Sequence, residues 1–121
     1  MDRKTVIAFV TKLLEDTQSN TIKWKVAEKS NIYIPFPNTS YSYTATTSKG
    51  TVLLGKPTYD SSDYSLYVIP NSGPTYDLSD LVSWYDNDVR KQYVQSLQKL
   101  YSCVYNSLPN VDTFIGSFLQ N

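Results

Sequence analysis

The 121-residue chain has no histidine and a single cysteine, Cys103, so an intramolecular disulfide is excluded and the usual ligands of zinc, copper and haem are missing. With four glycines there is no phosphate-cradling glycine loop, and no nucleophile motif stands anywhere in the chain. No apolar run approaches the roughly 20 residues of a membrane span. Net charge is also missing: eleven basic side chains balance eleven acidic ones. Neutrality argues against non-specific nucleic-acid binding, which needs many phosphate-neutralising cations. Neither a cofactor nor a metal is expected, and a lone thiol fits a reducing, cytoplasmic home.

The N-terminus imitates a secretory signal for a few residues, because Arg3 and Lys4 precede Val6-Ile7-Ala8-Phe9-Val10. Signal cores need roughly 7 to 15 apolar residues, and Lys12, Glu15 and Asp16 follow too soon. An amphipathic helix over residues 3–16 is the better reading, with Asp2 as cap and Val6, Ile7, Phe9, Val10, Leu13 and Leu14 on its buried stripe. The tract Thr17-Gln18-Ser19-Asn20 ends it, since short polar side chains compete for backbone bonds and Asn tolerates a left-handed exit.

Strict alternation over residues 21–26 predicts a strand with Ile22, Trp24 and Val26 on one face and Lys23 and Lys25 on the other. Ile32-Tyr33-Ile34 reads as a short edge strand beside Pro35 and Pro37. Residues 40–47 and 51–56 form a hairpin through Ser48-Lys49-Gly50, with Gly50 supplying a positive φ. Further strands are expected at 64–69 and 75–78. Leu81, Val82, Trp84 and Tyr85 form a short turn, and a long helix begins near Asp86 or Asp88. Its stripe is Val89, Tyr93, Val94, Leu97, Leu100, Tyr101 and Val104, and Pro109 stops it. Asn110 caps a last helix carrying Val111, Phe114, Ile115, Phe118 and Leu119 at helical spacing. The whole reads as one α+β domain over residues 1–121: an antiparallel meander of four to five strands packed against an N-terminal helix and two C-terminal helices.

Two features of the middle third bear on function. Pro57-Thr58-Tyr59-Asp60-Ser61-Ser62-Asp63 recurs, with one change, as Pro74-Thr75-Tyr76-Asp77-Leu78-Ser79-Asp80. In a meander the two flanking strands run parallel, about 10 Å apart, which would gather Asp60, Asp63, Asp77 and Asp80 on one rim. Residues 31–88 hold six acidic and two basic side chains, so that rim would attract a protein with a basic surface. Set against this, Pro, Asp and Ser are the residues of strand exits, Asx turns and helix caps, and a repeated turn yields a repeated word.

Tyrosine is the second feature, with eleven copies. Tyr41 and Tyr43 share a strand face, where they can stack on bases, anchor a partner, meet a second copy of the chain, or pack inward. Trp24 and Trp84 read as core anchors, and Cys103 as a small packing residue without a histidine base to activate it. The sequence therefore predicts a non-enzymatic protein-binding module, an inhibitor, immunity or accessory protein, using its acidic edge. A nucleic-acid accessory protein using the tyrosine face and a small carboxylate hydrolase are the alternatives.

Overall fold

The computed structural model describes residues 2–26, 39–57, 64–80, 87–108 and 111–120. It is an α+β fold in the order α1 (Arg3–Gln18), β1 (Lys25–Val26), β2 (Thr39–Thr47), β3 (Gly50–Pro57), β4 (Ser65–Pro70), β5 (Tyr76–Asp77), a 3-10 turn Leu78–Asp80, α2 (Asn87–Ser107) and α3 (Val111–Leu119). The five strands lie in sequence order and every neighbouring pair is antiparallel, so the sheet is a meander.

Asp2 caps α1 as its sequence position predicts, its Oδ1 accepting from the Lys4 amide at 2.9 Å. The helix leaves through Asn20 at φ 60°, with the Thr21 amide donating to the Asp16 carbonyl at 2.8 Å and the Asn20 amide to Thr17 at 3.2 Å. Those two bonds are the Schellman pattern, which satisfies carbonyls the helix end would otherwise leave open. Thr17 differs from expectation: it lies inside the helix and is buried. Its hydroxyl donates to the Leu13 carbonyl at 2.7 Å and accepts from Trp24 Nε1 at 2.9 Å, so a residue read as a terminator is a polar pin in the core.

That pin reshapes the strand expected at 21–26. The Schellman exit occupies residues 20–22 and Trp24 is tied back to α1, so among the described residues the first to join the sheet are Lys25 and Val26, opposite Thr44 and Tyr43. Trp24 is buried and both lysines are exposed as the alternation requires, but Val26 is 57% exposed. The segments expected as an edge strand at 32–34 and a turn at 81–85, Trp84 included, lie outside the described residues.

The hairpin turn is Ser48-Lys49, two residues between Thr47 and Gly50. Gly50 sits at φ 148°, and a Cβ there would collide with the Ile69 carbonyl oxygen on β4, so both backbone angle and close approach require glycine. An extra residue in β2 between Thr39 and Ser42 makes a bulge against β3.

One sheet face carries the core. Tyr43, Leu54 and Leu66 line up across β2, β3 and β4, as do Ala45, Val52 and Val68 in the next row. These meet Val6, Val10 and Leu13 of α1 and Tyr93, Leu97, Leu100, Tyr101 and Val104 of α2, with Leu78 and Trp24 closing the cluster. Each leucine buried this way stabilises the fold by about 1.5–3 kcal/mol. Thr44 and Leu53, on the opposite face of the sheet, are buried as well. Among the described residues no helix is long and apolar enough to cross a membrane.

Candidate functional site

Four places bear on function: the acidic edge, the paired tyrosines, the lone thiol, and the surface of α3. At the acidic edge, β3 and β5 are both antiparallel to β4, so their C-terminal ends point the same way, the geometry the repeated heptapeptide implies. Asp60 and Asp63 lie outside the described residues; Asp77 ends β5 and Asp80 ends the 3-10 turn.

Asp77 is engaged in local structure. Its Oδ1 accepts from the Ser79 amide at 2.9 Å and from the Ser79 hydroxyl at 2.8 Å. This Asx turn cuts β5 to two residues and starts the 3-10 turn, where the alternation pattern predicts a strand through Leu78. Across the ladder Tyr67 pairs with Asp77 and donates its hydroxyl to that carboxylate. Burial, with the charges of Asp77 and Asp80 beside it, pushes the Tyr67 phenol up to about 12 from its ordinary 10.0. Burial and then Asp77 raise Tyr93 as well, so one carboxylate acts on a tyrosine from β4 and another from α2. Asp80 is the exposed member of the pair. Among the described residues, no three acidic or thiol side chains gather closely enough to hold a metal ion.

Tyr43 lies on the core side of β2. It is 4% exposed and its ring sits 5.1 Å from that of Tyr101 on α2, which in turn is 5.3 Å from Tyr64. That position is the inward-packing one of the alternatives the sequence leaves open, and it gives Tyr43 no open ring face for a base. Tyr41 belongs to β2, but its side chain lies outside the described residues. Cys103 is a free thiol, half-buried on α2.

The surface that sequence reasoning misses is α3. Its apolar spacing matches the other helices, yet Phe114 is 62% exposed, Ile115 49%, Phe118 67% and Leu119 81%. The Phe114 and Phe118 rings pack on each other, centroids 5.0 Å apart, as neighbours one helical turn apart do. Tyr105 near the end of α2 is 64% exposed. The composition of 111–119 was the one available signal: five large apolar residues with a single charge, Asp112, is sparse in polar side chains for a helix whose far side meets water. Scattered exposed leucines are ordinary on any protein, whereas a contiguous stripe of large apolar side chains is a candidate interaction surface.

Compared with family models, curated proteins and solved structures, the chain matches none of them.

Proposed function

We propose that this chain is a non-enzymatic protein-binding module that presents the apolar stripe of α3 to its partner. The observation that carries this reading is the exposure of Phe114, Ile115, Phe118 and Leu119 on one helical stripe. A helix showing residues at i, i+1, i+4 and i+5 is the form that docks into an apolar groove, and aromatic anchors dominate the energy of such contacts. The test is capture from the native host with the wild-type chain and with Phe114→Ser/Phe118→Ser. Because those rings are exposed, the variant should fold normally and lose the proteins the wild type retains; identical capture by both would dismiss the α3 surface.

The acidic edge supports a second reading, engagement of a basic protein surface. What favours it is that Asp80 is exposed beside Asp77 on the β5 end of the sheet. Charged rims of this kind steer association and select partners, and salt weakens them. Replacing Asp60, Asp63, Asp77 and Asp80 by Asn should reduce capture most at low salt. If capture is equal at every salt concentration, the edge serves only as turn chemistry.

A further inference from the structure

The same chain that exposes an apolar helix also carries an open apolar cleft. It lies at the hairpin end of the sheet, between α1 and the strands, with a volume of about 240 Å³. Phe9 and Leu13 form its helical wall, Val52, Val68 and Pro70 its strand wall, and among the described residues Lys49 in the β2–β3 turn is the one charged residue on it. The cleft is smaller than the roughly 300–1,000 Å³ of drug-sized ligand sites. Its size suits one or two large side chains. It is also separate from the surface that needs covering, since the α3 stripe is exposed and does not fill its own chain's cleft.

Resting on the reading of α3 as a binding surface, we infer that its partner is a second copy of this chain, whose cleft between α1 and the β2–β3 hairpin receives Phe114 and Phe118. Three observations support this choice of occupant. The two surfaces are chemically complementary: an apolar stripe flanked by one acid meets an apolar cleft flanked by one base. Asp112 precedes Ile115 by three residues and Leu119 by seven, which puts it along the border of the stripe, and both Asp112 and Lys49 are exposed and available to pair. Overall neutrality leaves no long-range repulsion between copies. A lipid surface is a poorer occupant, because interfacial helices carry Lys and Arg on their polar face and α3 has neither. Donor and receptor are different patches of one surface, and each copy offers both. Reciprocal exchange of two helices closes a two-fold dimer.

Size-exclusion chromatography with light scattering on the full chain tests this. The wild type should double in mass as concentration rises. Asp112→Lys and Lys49→Asp, both at exposed positions, should each shift the transition to higher concentration, and the combined swap should restore it. Phe114→Ser/Phe118→Ser and Phe9→Lys, which places a charge on the half-buried helical wall of the cleft, should each be monomeric alone, yet form a heterodimer when mixed, because the mixture retains one intact helix and one intact cleft; circular dichroism checks that each variant is folded. A wild type that stays monomeric, or a dimer without charge-swap rescue and without complementation, overturns the inference. A monomeric wild type whose captured partner is lost with Phe114→Ser/Phe118→Ser would remove the second copy as occupant while leaving the α3 reading standing. If neither mass nor capture responds to that variant, both fall.

Discussion

Replacing Thr17 by Val tests whether the pin between α1 and Trp24 holds the N-terminal helix in place. The substitution preserves shape, and Thr and Val have similar helix propensities, so backbone effects largely cancel. What changes is the acceptor of the Trp24 indole N–H, which is buried and donates to Thr17 Oγ1 at 2.9 Å. Stranding a buried donor costs about 1–3 kcal/mol, and the added methyl returns up to about 0.8 kcal/mol. The lost bond from Thr17 to the Leu13 carbonyl matters less, because that carbonyl still accepts the helical amide four residues on. A net loss of about 0.2–2 kcal/mol should lower the urea midpoint by roughly 0.1–1 M for a slope near 2 kcal/mol/M. Circular dichroism is the suitable probe, since the control removes Trp24. In a Trp24→Phe background the donor is gone, so Thr17→Val should cost almost nothing, and the coupling should equal most of the loss seen with Trp24 present. Equal losses in both backgrounds would show that Thr17 acts by packing alone and that the hydrogen bond contributes nothing.

Gly50→Ala should destabilise by more than about 1 kcal/mol, because the position combines φ 148° with contact to the Ile69 carbonyl; an unchanged melting temperature would contradict that geometry. Leu97→Ala should cost about 2–5 kcal/mol from a fully buried site, whereas Phe118→Ala should stay within about 0.5 kcal/mol; comparable losses would mean that α3 packs into the fold. The raised Tyr67 pKa means that the folded state holds this proton more tightly than the unfolded chain. Its contribution to stability is full below pH 10.0 and is lost as pH rises towards about 12. Tyr67→Phe should therefore reduce the fall in stability across that window without abolishing it, since Tyr93 is raised too. An identical alkaline profile in wild type and variant would refute the link.

Features set by near neighbours along the chain were legible beforehand: the Asp2 cap, the left-handed Asn20, glycine in the hairpin turn, and the α2 stripe from Val89 to Val104. Each depends on local backbone chemistry or on a period that one element carries alone. At the candidate site, the Asx chemistry of Asp77 and Ser79 could be read from the repeated word, and the shared direction of β3 and β5 from the short connections. The bond from Tyr67 could not, because it depends on strand register.

By itself, the sequence determined the type and order of the main elements and which face of each helix is apolar, since those properties follow from periodicity and turn residues; the ends of α1, β1 and β5 were set by contacts the pattern does not show. Only the tertiary structure decided what each face meets. Thr17 became a core residue because the chain brings Trp24 back onto it; Val26 stayed exposed although it alternates correctly; and the α3 stripe, with the same spacing as α1, found no cover. An apolar face establishes a need for burial, and whether the fold meets that need depends on long-range packing that no local pattern encodes.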